Sequence, residues 1–152
     1  MSDSQGNNAK APLTVEIVSF GFKYGTPPIA NISLDVRFLK NPYWVDELRP
    51  LTGLDEPVRK YVLDQGLAQD VLDNLEKLVE HTVPAMLKVK SNSFVIALGC
   101  TGGQHRSPAM VEALAERVRS RFSQYQVTSG HRELERMHDD KTASLTAQGS
   151  AS

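Results

Sequence analysis

An apolar, partly β-branched run, Phe94-Val95-Ile96-Ala97-Leu98, leads straight into Gly99-Cys100-Thr101-Gly102-Gly103-Gln104-His105-Arg106, and Ser107-Pro108 then opens a helical pattern. The run reads as a buried strand, the glycines as a tight turn, and the helix continues with Met110, Val111, Leu114, Ala115, Val118 and Phe122 on one face. A strand–turn–helix of this kind makes an anion pocket. The helix start carries unpaired N–H groups and the positive end of the helix dipole. Glycine lets main-chain N–H groups approach an anion closely, and Arg106 supplies a bidentate fork.

The rest of the chain supplies the setting. Leu13 to Phe22 reads as a first strand, broken by Gly21, Gly25 and Pro27-Pro28. Residues 32–38 alternate, with Ile32, Leu34, Val36 and Phe38 on one face and Ser33, Asp35 and Arg37 on the other. A long loop with Asn41-Pro42, Arg49-Pro50, Gly53 and the single tryptophan, Trp44, follows. Asp55 is a predicted N-cap for a helix with Pro57 in its first turn and Gly66 as its end. A second helix runs from Ala68 to about Leu87, with Pro84 expected to end or kink it. A short last strand, Tyr125 to Thr128, precedes His131-Arg132-Glu133-Leu134. Residues 1–12 and the segment 136–152 read as disordered tails. Strands alternating with helices predict an α/β fold, a single domain with a small, mainly parallel sheet flanked by helices. The glycine-rich phosphate-binding turn then lies at a strand's carboxyl end, where such sheets take ligands.

Composition excludes several classes. The 152 residues with 40% hydrophobic content suit one core, and a net charge of −1 gives no basic field for nonspecific nucleic-acid binding. A single cysteine allows no intrachain disulfide and fits a reducing compartment. The polar N-terminus lacks a signal-peptide core, and no apolar run is long enough for a bilayer, so the expected location is the cytoplasm without a membrane partner. No His/Cys cluster has zinc spacing and no cofactor is indicated. The turn fits neither Gly-x-x-x-x-Gly-Lys-[Ser/Thr] nor Gly-x-Gly-x-x-Gly, which disfavours the usual nucleotide-hydrolysing machinery.

Cys100, Gly103, Arg106 and Ser107 have the spacing Cys-x-x-Gly-x-x-Arg-Ser, which resembles the phosphate loop of cysteine-dependent phosphatases. In that chemistry a thiolate attacks phosphorus and the arginine holds the equatorial oxygens. Cys100 and Arg106 would be its catalytic residues, and Asp35, Asp46 and Asp55 are unranked candidates for the general acid. The alternative is that Cys100 is a small side chain packed at a strand end. Asp35 and Arg37 likewise read two ways: as a structural ion pair, or as a polar wall in which Asp35 accepts sugar or ammonium donors while the turn holds phosphate. Tyr43 and Trp44 are candidate walls of that pocket. His105 is read as a ligand donor, and His131 and Arg132 as further donors or as a solvated turn.

Five motifs in order resemble one family. They are Gly21-Phe22-Lys23-Tyr24-Gly25, Asp35-Val36-Arg37-Phe38-Leu39, Asn41-Pro42-Tyr43-Trp44, Leu48 to Asp55, and Gly99 to Ser107. Together, over about residues 13–135, the chain resembles the C-terminal domain of the RapZ family of RNase adapter proteins. Full-length members carry a preceding Walker-type nucleotide-binding domain, so the chain looks like a freestanding version of the C-terminal half. The resemblance implies a non-catalytic sensor of glucosamine-6-phosphate or a related sugar phosphate, with an RNA or protein partner and a homo-oligomer as further expectations. By family position, Asp35, Cys100, Thr101, Gly102, Gly103, His105, Arg106 and Ser107 would form the pocket. Tyr43 stands where some relatives have a ligand-linked histidine. Asp139-Asp140 stand where the adapter has a Lys/Arg cluster. An RNA-binding surface would draw on Lys23, Arg37, Arg49, Arg132 and Arg136.

Overall fold

The computed structural model describes residues 13–151, with side chains through residue 144. The segment 1–12, expected to be a disordered tail, lies outside the described residues. Four strands form one parallel sheet: β1 (Thr14–Gly21), β2 (Ile32–Asp35), β3 (Ser93–Cys100) and β4 (Gln126–His131). Their order across the sheet is β2-β3-β1-β4. The helices are α1 (Glu56–Leu63), α2 (Gly66–Lys88), α3 (Arg106–Arg121) and α4 (Arg132–Ala151), and two single 3-10 turns cover Phe22–Tyr24 and Pro42–Trp44. The expected α/β domain with a parallel sheet is the observed one.

Alternation decides which face of the sheet is sealed. Val15 and Ile17 of β1 sit opposite Phe94 and Ile96 of β3, and all four are buried in one core. Glu16, Val18 and Val95 point the other way and are only half-buried, so the second face is partly open rather than fully covered. Helix α3 lies on the sealed face. Its first ten residues are buried almost all round, and Met110, Val111, Leu114 and Val118 continue the stripe expected from their spacing. Arg59 of α1 pairs with Glu116, and Arg117 and Arg121 of α3 pair with Asp73, Glu76 and Glu80 of α2, which fixes how the helices align. At the other edge the His131 ring joins three elements. Its Nδ1 lies 2.8 Å from Ser19 Oγ in β1, and its Nε2 lies 2.6 Å from Glu112 in α3.

Several local expectations are corrected. Strand β2 stops at Asp35 because the Asp35 carboxylate accepts the Arg37 N–H (2.9 Å), and this local turn outcompetes the ladder. Helix α1 ends at Leu63, and Gly66 begins α2 instead of closing α1. Asp55 does sit at the N-cap, but its carboxylate accepts the Thr52 N–H rather than a helical one. Pro84 lies inside α2 without ending it. Pro84 is exposed while Val79 and Val83 remain buried, so core contact carries the helix past it. The last strand runs to His131. From Met137, where composition predicts disorder, the chain continues as α4. Among the described residues no helix is long and apolar enough to cross a membrane.

Candidate functional site

The register places Gly21, the last residue of β1, beside Cys100, the last residue of β3. Beyond these two strand ends the chain diverges, into the Phe22–Tyr24 turn on one side and into the 101–105 turn and α3 on the other. This is the crevice at which open parallel sheets bind ligands. A cavity of about 270 Å³ lies there. Cys100, Thr101, Gly102, Gln104, His105 and Arg106 form its floor and one side. Lys23 and Tyr24 line a second side, Asn41, Tyr43 and Trp44 a third, and Met137 of α4 completes it.

Close backbone approach makes the turn possible. Gly103 has φ +68°, and a Cβ there would stand 2.8 Å from the Gly21 nitrogen. A Cβ on Gly21 would stand 2.6 Å from the Gly102 carbonyl carbon. Gly53 brings the 48–54 loop against the start of α3, where a Cβ would meet the Ala109 nitrogen at 2.5 Å. The loop is then stitched to the turn. Gly53 N–H donates to the Gln104 carbonyl (2.9 Å), and the Gln104 amide donates to the Arg49 and Leu51 carbonyls (3.1 and 2.8 Å).

The charged and nucleophilic side chains are less free than their spacing suggests. Arg106 Nη1 donates to the carbonyls of Arg37 (2.9 Å) and Leu39 (3.1 Å), while its buried Nε has no partner among the described residues. His105 is nearly buried, and its Nε2 lies 3.1 Å from the Arg49 carbonyl, a contact that requires Nε2–H as donor. Burial holds its imidazole below the usual pKa despite that hydrogen bond, which keeps the ring neutral. Ser107 is fully buried. Its hydroxyl donates to the Phe20 carbonyl (3.3 Å), and its N–H points at Cys100 Sγ (3.4 Å). With that hydroxyl proton committed, the 3.1 Å contact between Sγ and Oγ is completed by the thiol's own proton. Cys100, at 2% exposure, thereby ties β3, α3 and β1 together.

Of the residues expected to meet a ligand, Tyr43, Trp44, Cys100, Thr101, Gly102, His105 and Arg106 come together around the cavity. Gly103 and Ser107 support it from behind. Asp35 does not line it. Its carboxylate is held by Arg37 through Nε (2.9 and 3.0 Å) and Nη2 (2.7 Å), and this ion pair holds it below the usual carboxylate range. The ion-pair reading of Asp35 and Arg37 is the observed one. Asp46 and Asp55 also lie outside the lining, which contains no carboxylate among the described residues. His131 and Arg132 do not reach it either. His131 is bound to Ser19 and Glu112, and Arg132 to Glu133 and the Thr26 carbonyl. Sequence reasoning left Tyr24, Asn41, Gln104 and Met137 out of the pocket, and placed Lys23 only on an RNA surface. The Gly21 to Gly25 motif was a signal for Lys23 and Tyr24. Nothing local marked Met137.

A family model described as the RapZ C-terminal domain matches residues 13–135. A protein of Acidothermus cellulolyticus named "Nucleotide-binding protein" is 49% identical over 127 residues, covering 82% of this chain and 41% of that protein. Similarly named proteins of Rhodococcus erythropolis (48% over 131 residues, 86% of this chain and 44% of that protein) and Listeria monocytogenes (44% over 127 residues, 84% and 43%) match as well. The chain spans less than half the length of these curated relatives.

Proposed function

The chain belongs to the RapZ C-terminal domain family, and we propose that within it this domain is a non-catalytic sensor that binds a phosphorylated small metabolite, a sugar phosphate, in the cavity between β1 and β3. The observation that carries this reading is that the glycine turn and two cationic side chains line one small volume. Thr101 and Gly102 of the glycine turn, the Arg106 guanidinium and the Lys23 side chain line about 270 Å³. That size is near the lower end of the roughly 300–1,000 Å³ typical of ligand pockets, which suits a small ligand. Tyr43 and the 75%-exposed Trp44 meet edge to face at 5.1 Å and offer an aromatic wall for a sugar ring. The family resemblance makes glucosamine-6-phosphate the first ligand to test. Its phosphate has partners here. The carboxylate expected for its ammonium, Asp35, is engaged elsewhere, so the phosphate dominates recognition.

The same geometry weighs against a phosphatase. A nucleophilic Cys100 needs a carboxylic acid within reach of the leaving group, and the lining offers none among the described residues. RNA binding has weaker support than metabolite binding. Arg37, Arg49, Arg132 and Arg136 are each paired with a carboxylate, which leaves Lys23 as the one of the five expected cations without an ion pair among the described residues. The nucleotide in the relatives' names is a separate matter. No Walker-type turn occurs in this chain, so that activity is not assigned to this domain.

Calorimetric titration with glucosamine-6-phosphate tests the proposal. Binding by the native chain and loss of at least tenfold in affinity for Arg106→Ala are expected, since a charge-assisted bond is worth about 1.5–3 kcal/mol. No heat with any sugar phosphate, or equal heat from Arg106→Ala, would count against it.

A further inference from the structure

The family match ends at residue 135, inside α4, yet the cavity wall continues past it. Met137 lines the cavity directly. Arg136 stands over the ring of Tyr24, with its guanidinium carbon 3.9 Å from the ring centre, and so presses a second lining residue into place. Both arginines of this first turn converge on one fully buried carboxylate. Glu133 Oε2 accepts from Arg132 Nε (2.7 Å) and from the Gly21 N–H (3.0 Å), and Oε1 accepts from Arg136 Nε (3.2 Å). Burial alone would raise its pKa, but the Gly21 N–H and the two guanidiniums outweigh that and hold it below the usual range. A Cβ on Gly103 would stand 2.5 Å from Glu133 Cγ, so the glycine turn rests on this side chain with no spare room. From His138 to Ser144 every residue of α4 is exposed. The helix is therefore a wall from Glu133 to Met137 and an exposed arm from His138 to Ser144.

We propose that α4 is the responsive wall of the site: Glu133 is a positioning residue that locks its first turn to the glycine turn, and ligand binding and the seating of α4 are one coupled equilibrium. This rests on the sugar-phosphate reading above. Met137 and Tyr24 give the ligand contacts that exist only when α4 is seated, which is the differential interaction that coupling requires. By linkage, whatever loosens α4 weakens the ligand by the same factor that the ligand tightens α4. The exposed arm then carries the occupancy of the cavity away from the sheet.

Amide hydrogen exchange on the full chain, with and without glucosamine-6-phosphate, tests this beside calorimetry on Arg136→Lys, Met137→Ala and Glu133→Gln. Ligand should slow exchange in residues 133–144 by about fivefold or more, the lower bound of usual coupling factors. Arg136→Lys, which keeps the charge but loses the planar fork and stack, should lose affinity by a similar factor at an unchanged urea midpoint. In Glu133→Gln the ligand should still protect the 99–107 turn while its protection of α4 disappears, a separation that a purely structural role would not produce. Binding with protection of the turn and unaltered α4 exchange in the native chain would overturn the coupling and leave the sensor reading standing. Native affinity in both Arg136→Lys and Met137→Ala would overturn it too. If neither glucosamine-6-phosphate nor inorganic phosphate binds at all, both readings fall.

Discussion

Arg106 Nη1 donates to the Arg37 carbonyl at 2.9 Å, so the first residue of α3 holds the loop that leaves β2. A second bond from the same nitrogen reaches the Leu39 carbonyl. The arginine that spacing marks as a phosphate fork is thus also a structural strap, with only part of its donor set left for an anion. Effects of changing it will combine stability and binding, and the two must be measured separately.

Removing that strap gives the first prediction. Arg106→Ala strips two carbonyls of a charged donor and should lower unfolding free energy by about 1–3 kcal/mol. Urea denaturation measures it. Arg106→Lys should recover little, because an ammonium cannot place two bonds in one plane while keeping a donor free.

The glycine turn predicts a contrast between two alanine substitutions. Gly103→Ala adds a Cβ at φ +68° against Glu133 Cγ and should cost about 1–3 kcal/mol. Gly66→Ala, at the start of α2 with nothing within 4 Å, should be neutral or stabilising by up to about 1 kcal/mol. Thermal unfolding of the two variants side by side is the measurement.

Acid should unfold the protein in two stages. The His105 pKa is lowered by burial, so the unfolded chain binds more protons near and below the usual value of about 6.5. Its contribution is complete above that value and is lost as pH falls through the lowered folded one. Asp35 and Glu133, both lowered, act next: their contribution is present above the ordinary carboxylate range of about 4 and is lost below it. Urea midpoints across this range should show both stages. His105→Gln should flatten the upper one only.

Cys100 should prove to be a strut. The native chain should not turn over an aryl phosphate, and Cys100→Ser should keep sugar-phosphate binding while losing about 1–2 kcal/mol of stability. Turnover by the native chain that vanishes in Cys100→Ser would restore the nucleophile.

The lining also predicts weak discrimination at the sugar's amino group. A buried ammonium–carboxylate bond is worth about 1.5–3 kcal/mol, more than tenfold in affinity. With Asp35 tied to Arg37 and no carboxylate in the lining among the described residues, glucosamine-6-phosphate and glucose-6-phosphate should bind within about tenfold of each other. Competitive titration followed by the fluorescence of Trp44 decides it.

Local chemistry carried much of the architecture. The apolar run 94–98, the glycines and the stripe from Met110 to Val118 are short-range patterns, and they specified β3, the turn and α3 without reference to the rest of the chain. The same logic identified the crevice, because a parallel sheet can place such a turn only at a strand's carboxyl end. Local patterns left two points undecided. Pro84 is tolerated because Val79 and Val83 are buried against the core, and Asp35 left the pocket because Arg37 folds back on it.

By its own sequence, then, the chain determined its parallel α/β fold and the glycine turn and pointed to seven of the residues around the cavity. The tertiary structure alone decided the order β2-β3-β1-β4, which sets Gly21 beside Cys100 and brings Lys23 and Tyr24 to face the turn. It also seated α4 through Glu133 and put Met137 into the wall. The physical reason is range. Periodicity and turn chemistry act within a few residues, whereas the buried Glu133 carboxylate finds its backbone donor, the Gly21 N–H, 112 positions away in the chain, where no local pattern can announce it.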